Sequence, residues 1–150
     1  MAAVGLSALW LYQLWLPAKQ VELHTLNLLQ RASARDWVAV GTMISPDYRD
    51  AWGHHRATSI DEARWLFSHF FALQIAATGP WQFSGGDGRW TASGPLGVFG
   101  SGSPIAQAVI AEVRAAQGRF EFRWQKSGRW PWAWLLTEVR QEELAARHRR

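Results

Sequence analysis

Arg119-Phe120-Glu121-Phe122-Arg123-Trp124-Gln125, followed beyond Lys126-Ser127-Gly128 by Trp130-Pro131-Trp132-Ala133-Trp134-Leu135-Leu136, is the stretch on which the fold turns. Phe120, Phe122 and Trp124 alternate with Arg119, Glu121 and Arg123, the period of two that a strand shows and a helix does not. Trp130, Trp132, Trp134 and Leu136 alternate again. A strand pair joined at Lys126-Ser127-Gly128 is therefore expected to set both aromatic rows on one face, where each cross-strand aromatic pair stabilises by up to about 1 kcal/mol. That face is a core wall or a pocket wall, and if it is core, Trp132→Ala should cost about 3 to 5 kcal/mol.

Working back from this pair, Ser103-Pro104 opens a helix on Ile105, Val109, Val113 and Ala116, and Gly118 stops it. Before it, Gln74 to Phe83 and Arg89 to Phe99 read as two strands separated by Gly85-Gly86-Asp87-Gly88, a turn rich in residues that tolerate positive φ. Gly100-Ser101-Gly102-Ser103-Pro104 imitates a phosphate loop, but a third glycine and a lysine are missing and Pro104 removes a donor, so a flexible turn is expected. Further upstream the spacing changes to threes and fours. Leu23, Leu26, Leu29, Trp37, Val40 and Ile44 predict two helices, about 20 to 33 and 34 to 44, with Ser33 capping the second. Ser45-Pro46 predicts one short helical turn through Tyr48 to Trp52, ended by Gly53. The capping box Ser59-Ile60-Asp61-Glu62 predicts a third helix with Ile60, Ala63, Phe67 and Phe70 along one stripe. Helices first and strands later, with no internal repeat or low-complexity linker, argue for an α+β domain.

The 150 residues carry 16 basic and 12 acidic side chains, a formal charge of +4, and no block of like charges follows a helix or strand, so no nucleic-acid partner is expected. Zero cysteines exclude a disulfide framework, a thiolate metal site and a cysteine nucleophile. Ala2 to Leu16 contains no charge and is closed by Pro17 and Lys19. A bilayer core takes about 20 apolar residues in a helix, so this run is short by a turn, yet Tyr12 and Trp15 lie where an interfacial belt would place them. Residues 1–18 are accordingly read as a single-pass membrane anchor on an unspecified side, in contact with the bilayer through residues 2–16. A helix docked on its own domain and a cleaved signal peptide are the alternatives, the latter lacking a basic start and a small-residue cleavage site. Residues 19–144 form the folded domain and 145–150 a basic tail.

The early helices, the Tyr48-Arg49-Asp50-Ala51-Trp52-Gly53 turn, the capped third helix and the strands ending in Phe120-Glu121-Phe122-Arg123-Trp124 and Trp130-Pro131-Trp132-Ala133-Trp134 together resemble the nuclear transport factor 2-like superfamily. The likeness runs over about 20 to 144 and rests on element order more than on motif, which makes it a likeness of fold. It implies a curved, mostly antiparallel sheet wrapped as a cone around the N-terminal helices, which pack in its concave face, and often a homodimer through the outer sheet face. Ketosteroid isomerases, scytalone dehydratases, limonene epoxide hydrolases and polyketide cyclases of that superfamily work inside the cone, while many other members have no known reaction. The helix between strands at 104 to 116 departs from the compact enzymes and is placed to narrow or cover the mouth.

An isomerase of this kind needs a carboxylate base with a Tyr and a protonated Asp as oxyanion hole. Tyr48 and Asp50 are the one such pair, but two apart in a helical turn they would point to nearly opposite sides, and Asp50 is expected to buttress the Trp52-Gly53 turn. Tyr48, Asp50 and His54 remain the candidates for catalysis. Trp52, Phe70, Trp124 and Trp132 are the candidate ligand wall. No cofactor or metal is expected, because adjacent His54-His55 with His69 and Asp61 lacks the spacing of a metal set, and no Gly-x-Ser-x-Gly turn is present. The expected function is ligand or protein binding by a membrane-tethered domain, with an isomerase, dehydratase or cyclase acting on an apolar ring as the alternative.

Overall fold

The structure is a computed structural model that describes residues 2–116 and 118–148. Six helices and six strands run in the order α1 (Ala2–Leu14), α2 (Pro17–Ser33), α3 (Trp37–Met43), α4 (Arg56–Ser68), β1 (Phe70–Ala77), β2 (Gln82–Gly86), β3 (Arg89–Gly94), β4 (Leu96–Gly102), α5 (Pro104–Ala115), β5 (Phe120–Lys126), β6 (Trp134–Arg140) and α6 (Glu142–His148). All the strand pairs are antiparallel: β2-β3-β5-β6 form one sheet and β1-β4 another. The molecule is an α+β domain with helices lying against a curved sheet.

Each expected long strand is split in two. Gly79-Pro80 separates β1 from β2, and Pro95, which has no N–H for a ladder, separates β3 from β4. The chain bends there, and the Pro95 carbonyl accepts from Thr78 N at 3.2 Å and from the Trp81 indole at 3.0 Å. The hairpin turn is Asp87-Gly88, both with positive φ (51° and 72°), as a two-residue type I′ connection requires. Gly100-Ser101-Gly102 is not a loose turn. It is the end of β4, paired with β1 across a register shift at Phe70/Ala72, and Gly100 (φ 137°) passes so close to the Ala72 carbonyl that a Cβ would overlap it.

The helices follow the apolar spacing, with shifted starts. Asp36, not Ser33, caps α3, its Oδ1 accepting from Ala39 N at 3.1 Å; Ser33 instead ties α2 to the sheet by accepting from Ile75 N at 2.8 Å. α4 begins at Arg56 rather than at the Ser59 capping box, which leaves the Ser59 hydroxyl inside the helix and free for another partner. α6 carries buried Leu144 and Ala145 across the boundary expected at 144/145, and the rest of the basic tail, Arg149 and Arg150, lies outside the described residues.

Phe120, Phe122, Trp124, Trp134 and Leu136 are buried as expected, but the row stops there. Trp130 and Trp132 are 56% and 55% exposed, in a loop ahead of β6, and stack on each other at 5.3 Å with ring planes 10° apart. Pro131 has no N–H, and Ala133 N and Trp134 N donate to the Trp130 and Trp132 carbonyls, so the backbone here forms turns instead of a ladder. The expected inward row is corrected accordingly, and Trp132→Ala should change the free energy of unfolding by less than about 1 kcal/mol in a urea titration.

Candidate functional site

The segment after α3 decides the site. Ile44 makes a parallel bridge to Leu136, and Ser45 N, Arg49 N and Ala51 N donate to the Leu136, Thr137 and Val139 carbonyls at 2.8, 3.1 and 3.2 Å. Residues 48 to 50 are thus extended along the edge of β6, not helical, and the chain turns at Ala51-Trp52, where Gly53 N donates to the Asp50 carbonyl at 3.1 Å. In an extended chain residues two apart share a face, so Tyr48 and Asp50 both turn inward, against the expectation that they would diverge. Gly53 (φ 88°) reverses the chain, and a bridge between Arg49 and His55 leads it into α4.

Asp50 sits at the centre of this turn with its side chain 5% exposed. Its Oδ1 accepts from Trp52 N at 3.0 Å and His54 N at 2.8 Å, and its Oδ2 from Ser59 Oγ at 2.9 Å and His54 Nδ1 at 3.2 Å. Four donors occupy the lone pairs that a carboxylate offers. With Nδ1 donating, Nε2 is the acceptor nitrogen of a neutral His54 ring, whose side chain is 39% exposed. The Tyr48 side chain is buried beside Asp50. Burial pushes its phenol well above the ordinary range, the Asp50 carboxylate adds to this and Glu138 does so less, while hydrogen bonds with the Ser59 side chain and the Val139 backbone act the other way. The phenol stays protonated, so it keeps an O–H to donate as well as lone pairs to accept with.

These residues form one end of a cavity of about 350 Å³ between the helices and the sheet. Apart from Ser59 and Glu62, its walls are otherwise aliphatic and aromatic: Leu28 and Leu29 from α2, Val98 from β4, Val109 and Val113 from α5, and Leu136 from β6. Trp37 and Phe67 stack at 6.0 Å on the side of α3 and α4. A second depression of about 360 Å³ shares Trp52, His54, Glu62, Leu66, Val109 and Val113 with the cavity and adds Trp65, Glu112 and Leu144, so it forms the vestibule. The α5 helix between strands therefore lines both spaces.

The structure brings Tyr48, Asp50, His54 and Trp52 together at the cavity. It does not bring the other candidates there: Phe70 is buried against Phe67 in a T-shaped pair at 5.7 Å, Trp124 is buried against α2, and Trp132 is on the surface. Ser59 and Glu62 figure in the sequence only as a helix cap and Glu112 not at all, yet all three stand at these two spaces. Among the described residues no group of three or more His, Asp or Glu side chains is placed to share a metal ion.

Comparison with known proteins gives no matching family model and no matching curated protein. Solved structures do match. A nuclear transport factor 2-like superfamily protein from Salmonella enterica serovar Typhimurium is 12% identical, with a TM-score of 0.61 over 82% of this chain and 87% of that one. The Kfla4162 protein from Kribbella flavida is 14% identical, with a TM-score of 0.58 over 87% and 95%. Bd1075 from Bdellovibrio bacteriovorus is 8% identical with a TM-score of 0.63, and although 81% of this chain is covered it spans only 38% of that protein. The fold is that of the nuclear transport factor 2-like superfamily, and at these identities the likeness is one of fold.

Proposed function

We propose that this chain, with its nuclear transport factor 2-like fold, binds a small apolar molecule in the cavity and performs no chemistry on it. The observation that carries this reading is the state of Asp50: this buried acidic side chain in the cavity wall has all four acceptor positions filled by its own turn and by Ser59 of α4. It stiffens the wall and has no lone pair left to take a substrate proton. Around it, nearly every other lining side chain is hydrocarbon, which is the make-up of a binding pocket with one polar end. Tyr48 and Ser59 make up the polar end that a ligand hydroxyl would meet. A ring alcohol such as 1-naphthalenemethanol should bind with one site and a Kd on the order of 0.1 mM, given its size. Val109→Trp, which fills the space from α5, should abolish the calorimetric signal; heat that persists in that variant would place binding elsewhere.

One observation favours the alternative, an isomerase, dehydratase or cyclase. Asp50 orients His54, as a carboxylate orients a catalytic imidazole, and leaves Nε2 for proton transfer at the mouth. Turnover of an apolar ring substrate that is lost in His54→Gln and kept in Val109→Ile would decide for it.

We further infer that α1 holds the domain at a membrane. No helix among the described residues is long and apolar enough to cross one. α1 nevertheless has no charged residue, and Leu6, Leu9, Trp10, Leu11 and Tyr12 are all exposed along it. Exposed apolar surface on every side of a helix needs cover, and an interfacial or inserted position supplies it. Full-length protein should sediment with phosphatidylcholine vesicles and stay with them in 1 M salt, which screens charge but not apolar contact. Leu6→Glu with Leu9→Glu should release it; equal sedimentation of this variant would remove the basis for the tether.

A further inference from the structure

The vestibule differs in chemistry from the cavity beneath it. Where the cavity wall is mostly hydrocarbon, the vestibule gathers Trp52 and Trp65, His54, and two carboxylates, Glu62 from α4 and Glu112 from α5, of which Trp52, His54 and Glu62 stand on the rim that the two spaces share. Neither glutamate has an ion-pair partner among the described residues. Among the described residues no lysine or arginine lines the vestibule or the cavity, although the chain as a whole carries +4. The basic side chain at the start of α4, Arg56, is occupied by the Gly41 carbonyl at 2.7 Å. Arg64, two residues from Glu62, is turned to Asp61. The charged side chains that line the mouth are therefore acidic on a protein that is positively charged overall, and low-dielectric walls strengthen the pull of such groups on a cation.

We propose that the ligand is a cationic amphiphile, an apolar ring or short chain carrying a protonated amine. This rests on the reading of the cavity as a binding site and names its ligand class. The apolar body enters between Val98, Val109 and Leu136, while the ammonium group stays in the vestibule between Glu62 and Glu112. The indole faces of Trp52 and Trp65 add the attraction that aromatic rings offer to a cation, strongest for tryptophan and for a partly dehydrated site. Two carboxylates on two different helices also give the ligand a means of holding α4 and α5 together.

The test is calorimetric titration of the full chain with three ligands of one shape: 1-naphthylmethylamine, cationic at neutral pH, 1-naphthalenemethanol, neutral, and 1-naphthoate, anionic. The amine should bind about tenfold tighter than the alcohol at 20 mM salt, and the naphthoate about tenfold weaker. The preference should shrink at 200 mM salt, because the vestibule is open to solvent. In E62Q/E112Q the ratio of amine to alcohol should fall to about one; both positions are solvent-accessible on their helices, so folding is not at stake. If the alcohol binds and the amine binds no better, the cation proposal fails and the cavity reading stands. If none of the three binds, both fail. An amine preference that survives E62Q/E112Q, or amine binding that survives Val109→Trp, would overturn the vestibule as its source.

Discussion

Trp124→Ala should lower the stability of the domain by about 3 to 5 kcal/mol, the range for removing a large buried aromatic, and lower Tm by roughly 10 °C in a domain of this size. Trp124 is 1% exposed and lies where sheet and helix meet. Its indole N–H donates to Thr25 Oγ1 at 3.1 Å, and that hydroxyl donates in turn to the Val21 carbonyl one helical turn back. The His24 ring meets it edge-on at 5.6 Å. Removing the indole thus opens a cavity and unties β5 from α2 at once. Trp124→Phe keeps most of the buried area and should cost less, about 1 to 2 kcal/mol, through the lost hydrogen bond and the smaller ring. Thermal and urea unfolding of both variants measures this, and a shift under 1 kcal/mol for the alanine variant would mean that α2 does not rest on β5 as described.

Asp50→Ala is the second large effect expected, again about 3 to 5 kcal/mol, for a different reason. No sizeable apolar volume is lost. Instead the Trp52 and His54 backbone amides and the Ser59 hydroxyl lose their acceptor in a turn with little water, and unpaired buried donors are costly. The loss should appear as a lower urea midpoint at unchanged slope, the mark of a native state weakened without a change in the surface exposed on unfolding. Ser59→Ala removes one of the four bonds and should cost about 1 kcal/mol. If Asp50→Ala left stability unchanged while abolishing a reaction, the carboxylate would be a base and not a brace.

Much of the fold is legible in local spacing. The Ser103-Pro104 start of α5, the Asp87-Gly88 turn and the period of two in β5 are each decided by a few neighbouring residues, so sequence alone locates them. Trp130 and Trp132 mislead because alternation describes where side chains could go, not whether the backbone finds ladder partners; a proline between them and short-range turn bonds decide the matter. Tyr48 and Asp50 mislead for the opposite reason. Ser45-Pro46 is a sound local signal for a helical turn, but the partners of residues 45 to 51 are carbonyls of β6, some 90 residues on, and that pairing converts two diverging side chains into neighbours. Ring size points to an aromatic wall, yet the cavity is lined mainly by aliphatic side chains, whose role depends on tertiary placement that no spacing rule supplies.

Methyl-labelled NMR of the full chain during titration with 1-naphthylmethylamine tests the central claim, that the space between helices and sheet is a ligand site. The methyls of Val98, Val109, Val113 and Leu136 line that space, while Val21 is buried on another part of α2 and Val38 is exposed on α3. Saturable shifts at the first four, with Val21 and Val38 unmoved, are the predicted result. Shifts at Val38 or along α1 with the four cavity residues silent would contradict it.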